Sequence, residues 1–144
     1  MNWLNRLSNL AIDRMPKTIS PGAHASIDYA VAAAFAGYGL VCMRNNKAAG
    51  MAAMMASLAT VTNVAMTDVP GGMCKTISFP LHGRIDMGLS GMYAALPGLM
   101  GFTDTKESRF FMMGAVVGSL VTSMTDFTGT GERQQSQALL NARS

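Results

Sequence analysis

A chain of 144 residues with 49% hydrophobic and only 13% charged residues has the length of one domain and too little charge to cover a soluble surface of that size. Its formal net charge of +3 is spread without a basic run or an aromatic-interleaved stripe. That distribution excludes nucleic acid as the expected partner and points the basic residues to anionic lipid. No phosphate-binding glycine loop, dinucleotide fingerprint or nucleophile with its base is present, so the chain is not expected to be an enzyme.

Read from the N-terminus, residues 1–15 place Trp3, Leu4, Leu7, Leu10 and Ala11 on one helical face, with Asn2, Arg6, Ser8 and Asp13 mostly elsewhere. This is an amphipathic helix ending at Pro16, an interfacial anchor rather than a cleaved signal peptide, which needs a longer unbroken apolar core. Four apolar stretches follow: Tyr29 to Met43, Ala48 to Met66, Met87 to Thr103 and Phe110 to Thr125. None contains an ionisable group apart from tyrosines and Cys42. Each is just long enough to cross a hydrocarbon layer of about 30 Å. Gly88, Gly91, Gly98 and Gly101 in the third stretch, and Gly114 and Gly118 in the fourth, supply the small residues that let helices approach closely in lipid. Pro97 is expected to kink the third span. Residues 130–144 form a polar tail. Cys42 and Cys74 are expected at opposite ends of the spans, so no disulfide between them is expected, and the fourteen methionines are spaced as flexible core filling.

Sliding the sequence against itself by 58 positions aligns residues 15–71 with residues 73–129 without a gap and with 15 identities over 57 positions. Lys17-Thr18-Ile19-Ser20 recurs as Lys75-Thr76-Ile77-Ser78. His24, Ile27 and Asp28 recur as His82, Ile85 and Asp86, and Met66-Thr67-Asp68 recurs as Met124-Thr125-Asp126. Each copy is a two-helix unit. Two spans per unit bring both copies in from the same side, as parallel repeats about a pseudo-twofold axis. The expected fold is therefore an all-α membrane protein, a four-transmembrane-helix bundle built from repeat 1 (15–71) and repeat 2 (73–129) behind the N-terminal interfacial helix. Lys and Arg are in excess, seven against four, on the side holding the termini, which places both termini in the cytoplasm.

The duplication gathers His24, Asp28, Asp68, His82, Asp86 and Asp126 at one membrane face, with Lys17 and Lys75 just outside. Histidine and aspartate at i and i+4 share one side of a helix, and the Thr-Asp closing the next helix returns to the same depth. Two readings stand beside each other. In the first the group is a structural clasp: Asp28 and Asp86 sit in the first turns of their helices, favoured by the helix dipole, and the histidines bond to the Thr-Asp of the neighbouring helix to lock each two-helix unit. In the second, His24 and His82 ligate haem b or a divalent metal oriented by the carboxylates. The chain has no Cys-x-x-Cys-His, His-x-x-x-His or Glu-x-x-His motif, so no cofactor is expected on the first reading. A proton or ion path is a further alternative, though no acidic residue lies in mid-span.

The run Lys75-Thr-Ile-Ser-Phe-Pro-Leu-His82-Gly-Arg-Ile-Asp86, followed by Ala95-Leu-Pro-Gly-Leu-Met-Gly-Phe102, resembles small bacterial four-span proteins with SPW repeats. Where that family has Ser-Pro-Trp, this chain has Leu96-Pro97-Gly98, and its first copy has Tyr38-Gly39-Leu40. The resemblance implies a compact protein of the bacterial inner membrane with no defined catalytic activity. Together with the glycine-rich faces, it leads to the expectation of a structural or accessory subunit that associates with itself or joins a larger membrane complex.

Overall fold

The computed structural model describes residues 15–128 and 140–141. Its named elements are four helices: α1 (Pro21–Cys42), α2 (Lys47–Ala65), α3 (Phe79–Leu99) and α4 (Lys106–Met124). The amphipathic segment 1–15, except its last residue, and nearly all of the tail 130–144 lie outside the described residues.

Helix starts are set by local chemistry. Ser20 caps α1, its Oγ accepting from the Ala23 amide at 3.3 Å, and Pro21 opens the helix where no amide is needed. Asn46 caps α2 in the same way, its Oδ1 accepting from the Ala49 amide at 3.1 Å. In the second copy Ser78 and Pro80 mark the start of α3, without a side-chain cap bond. Because α1 and α3 begin at Pro21 and Phe79, Asp28 and Asp86 are the eighth residue of each helix. No acidic residue occupies either first turn. The dipole and capping role expected for these aspartates is thus excluded, since that effect fades beyond the first turn. Pro97 lies near the end of α3, which runs on to Leu99.

α1 packs on α2 and α3 on α4 as two helical hairpins, joined chiefly through α2 and α3. Away from the histidines, α2 presents Ala49, Ala52, Ala53 and Ala56, all fully buried, to a core containing Phe35, Tyr93, Phe102 and Phe111. Small residues on one element accommodate rings on another. A Cβ on Gly114 would stand 2.8 Å from the Phe35 ring, and one on Gly118 would stand 2.5 Å from Ser90 Oγ. These two glycines therefore make the close approach expected of them. Gly88, Gly91 and Gly98 would meet nothing within 4 Å and leave an open small-residue stripe along α3. Gly101, at φ +73°, turns the chain out of α3 in the left-handed region that favours glycine.

The segments leading into each repeat cross over. Ile19 pairs in parallel with Thr125 and Ile77 with Thr67, each lead-in bridging to the end of the other repeat. The Ile19 amide donates to Met124 O at 3.1 Å, and the Ile77 amide donates to Met66 O at 2.8 Å. The relation of the two bridges is the 58-residue offset of the sequence repeat, so the duplication is structural as well as sequential.

Two helices, α1 and α2, are long and apolar enough to cross a membrane by length and composition. α3 and α4 fall short by that measure. α3 carries Arg84 and Asp86, and α4 carries Lys106, Glu107 and Arg109 near its start. Cys42 is buried at the loop end of α1, Cys74 is exposed in the connection between repeats, and both are free.

Candidate functional site

At the end of the bundle where the lead-ins cross, α1 and α3 face each other through His24, Asp28, His82 and Asp86, all four buried. The i, i+4 spacing puts the members of each pair on one helical face. The pseudo-twofold relation then sets the two pairs opposite one another, with imidazole centroids 5.2 Å apart. His24 Nε2 lies 2.9 Å from Asp86 Oδ2 and 3.4 Å from Asp28 Oδ2. His82 Nε2 lies 3.0 Å from Asp28 Oδ2 and 2.9 Å from Asp86 Oδ2. Both imidazole nitrogens and one oxygen of each carboxylate thus converge on a common centre, and nearer contacts run between repeats as well as within them.

The opposite edge of each imidazole is held by a threonine of the other repeat. His24 Nδ1 is 2.7 Å from Thr125 Oγ1, and His82 Nδ1 is 2.9 Å from Thr67 Oγ1. Thr67 donates its hydroxyl proton to Asn63 O at 2.6 Å, and Thr125 donates its own to Val121 O at 2.7 Å. Each hydroxyl has one proton, already engaged on the preceding turn of its own helix, so its oxygen accepts from Nδ1–H. The threonines thereby fix both imidazoles with a proton on Nδ1 and Nε2 turned to the carboxylates.

Outside this ring the two copies differ. Asn63 donates to Asp86 Oδ1 at 2.7 Å, orienting that carboxylate. Its counterpart 58 positions on is Val121, which offers Asp28 no such donor. Beside Asp28 there is instead a cavity of about 20 Å³, lined in part by Asp86, Thr60, Ser90, Tyr93 and Thr122, room for about one water. The Tyr93 hydroxyl meets Thr60 Oγ1, which itself donates to Ala56 O at 2.8 Å. Two rings close the centre on its outer side. Phe79 stacks near His82 at 5.8 Å, and Phe127 meets His24 edge-on at 5.3 Å. Phe127 lies so close to α3 that a Cβ on Gly83 would fall 2.7 Å from its ring.

The remaining residues of the expected polar group sit at the same end but point elsewhere. Asp68 pairs with Lys75 at 3.3 Å, both side chains well exposed. Asp126 accepts from the Thr128 amide and hydroxyl. Lys17 donates to Ser123 O at 2.6 Å, tying the first lead-in to the end of α4. The expectation that each histidine bonds within its own two-helix unit is corrected: the partner is the threonine, not the aspartate, of the Thr-Asp pair, and it belongs to the other repeat. Thr67 and Thr125 carry a sequence signal, being identical in the aligned Met-Thr-Asp triplets; Asn63 carries none, because its aligned partner is valine.

A bis-histidine haem does not fit this arrangement. Carboxylate oxygens within 3.0 Å of both Nε2 atoms leave no room for a porphyrin between the imidazoles. Comparison of the chain with protein-family models, curated proteins and solved structures finds no match in any of the three.

Proposed function

We propose that the protein is a non-enzymatic, four-span component of the bacterial inner membrane whose two repeats are clamped together by the reciprocal histidine, aspartate and threonine centre. The observation that carries this reading is the crossed bonding of His24 to Thr125 and His82 to Thr67, which ties residues about a hundred and about fifteen positions apart into one buried ring. Polar side chains at helix interfaces hold membrane bundles together where apolar burial contributes little drive.

Large apolar side chains that stand mostly exposed on every helix support the membrane setting for all four. Val41 is 67% exposed on α1, Leu58 67% on α2, Leu99 78% on α3 and Met113 66% on α4. A lipid environment covers such surfaces, which water would leave as aggregation sites. The resemblance to SPW-repeat proteins supports the inner membrane, and the excess of Lys and Arg beside the chain ends supports cytoplasmic termini. The open stripe of Gly88, Gly91 and Gly98 on α3 supports association with a second copy or with a larger membrane subunit.

Membrane fractionation with alkaline carbonate extraction tests the setting, and thermal melting in detergent tests the clamp. The reading expects the chain to stay in the pellet and a Thr67→Val/Thr125→Val variant to melt earlier than the wild type. Release into the carbonate supernatant, or an unchanged melting temperature in the double variant, would contradict it.

A further inference from the structure

We propose that His24, His82, Asp28 and Asp86 bind one divalent transition-metal ion of the zinc class, through Nε2 of both imidazoles and Oδ2 of both carboxylates. The inference rests on reading this centre as the clamp between repeats and names the cation that closes it.

The threonines set the tautomer of both imidazoles. With Nδ1–H donated to Thr125 and Thr67, a neutral imidazole turns the Nε2 lone pair inward. Two such lone pairs and two carboxylate oxygens then face one another at 2.9 to 3.4 Å. Four electron-rich atoms at that spacing in a buried site require positive charge among them. Two protons or one divalent ion supply the same charge, and the geometry distinguishes the two. His24 Nε2 meets Asp86 Oδ2 in hydrogen-bond geometry at 2.9 Å, but His82 Nε2 lies within 3.0 Å of both carboxylates yet aims an N–H at neither, and Asp28 Oδ2 accepts no hydrogen bond. Two protons would serve His24 and Asp86 but leave His82 Nε2 and Asp28 Oδ2 buried and unpaired, which is costly. An ion at the common centre satisfies all four atoms. Tetrahedral arms of about 2.0–2.1 Å to nitrogen and oxygen, the zinc values, set ligand atoms roughly 3.3–3.4 Å apart. One of the four nitrogen–oxygen spacings meets that value, the other three need an opening of only a few tenths of an ångström, and all four ligand atoms lie within 4.8 Å of one another.

The donor set selects the class of ion. Two imidazole nitrogens favour zinc and its neighbours over magnesium or calcium, which take oxygen donors. The outer contacts are those of a built metal site. Each imidazole donates its far N–H to a fixed acceptor, and Asn63 orients Asp86. The charge balances, two carboxylates against one divalent ion, so the centre is neutral within the bundle. Phe79 and Phe127 cover it on the outside.

The test uses the full chain in detergent with any affinity tag removed, stripped with a chelator and then titrated with Zn²⁺ and, separately, with Co²⁺. Expected is uptake of one ion per chain, the intense visible bands of four-coordinate Co²⁺, and a higher melting temperature with metal. Asp28→Asn keeps the side-chain shape and removes one anionic ligand; it should weaken Zn²⁺ binding by about tenfold or more while circular dichroism stays helical. Thr125→Val should weaken it by about 10- to 100-fold, the usual effect of losing an outer contact. Failure of the wild type to take up either ion, or uptake that persists in Asp28→Asn and in His24→Gln/His82→Gln, would overturn the metal site. The clamp is judged separately on metal-free protein. If His24→Gln/His82→Gln melts earlier there, the clamp stands whatever the metal result; if it melts at the same temperature, the clamp fails too.

Discussion

The two repeats share the atoms that meet at the bundle's polar end and differ almost everywhere else. Histidine, aspartate and threonine occupy equivalent positions in both copies, and each histidine reaches across to the threonine of the other. Around them the copies are complementary rather than alike. Ala53 of the first aligns with Phe111 of the second, Ala56 with Gly114, and Thr60 with Gly118. Gly114 of the second copy thereby receives the Phe35 ring of the first, while Gly118 makes room for Ser90 within its own copy. Asn63 faces Val121 in the same alignment, which gives Asp86 a donor and leaves Asp28 beside the small cavity. A parallel pair of related hairpins thus fixes where buried polar groups meet. A close-packed core between them requires the copies to diverge, because interdigitation needs unequal partners.

The largest break in that symmetry comes from removing one half of the ring. His82→Ala leaves two buried carboxylates with a single imidazole between them, and should cost about 3–5 kcal/mol, the usual result of breaking a buried charged group. Denaturant titration in mixed micelles measures it. Next is Phe35→Ala, which empties the ring position against Gly114 and should cost about 3–5 kcal/mol by cavity formation. Unlike His82→Ala, it should leave any metal uptake unchanged, separating the apolar core from the polar end. Asn63→Val makes repeat 1 resemble repeat 2 and strips Asp86 of its donor, for an expected loss of about 1–3 kcal/mol. The converse Val121→Asn offers Asp28 a donor, and its effect on melting should be much smaller than that of Asn63→Val. Lys75→Ala removes an exposed ion pair with Asp68 and should change stability by less than about 1 kcal/mol.

Much of this was legible in the sequence for one physical reason. A 58-residue repeat with histidine and aspartate one helical turn apart obliges two such pairs to share a face and an end of the bundle, and His24, Asp28, His82 and Asp86 do so. The helical pairing within each copy followed from the apolar stretches, all of which lie within helices or run a residue or a few past their ends. Other features were not legible. Asp68 and Asp126 follow directly on the threonines that point inward, and beyond a helix end successive side chains diverge, so these carboxylates turn to Lys75 and Thr128 instead. The first-turn placement of Asp28 failed because the helix starts at Pro21, earlier than the apolar stretch begins at Tyr29. Which threonine each histidine meets depends on the crossing of the lead-ins at Ile19 and Ile77, a tertiary pairing that no local pattern encodes.

The crossed clamp is tested most directly by double-mutant cycles pairing His24→Ala with Thr125→Val and, in parallel, with Thr67→Val, read as unfolding free energies in the same micelles. A coupling of roughly 0.5–3 kcal/mol, the range for residues in contact, is expected between His24 and Thr125, and a clearly smaller one between His24 and Thr67. Coupling that is stronger to Thr67 than to Thr125 would contradict it, because the histidine would then be bonded within its own repeat.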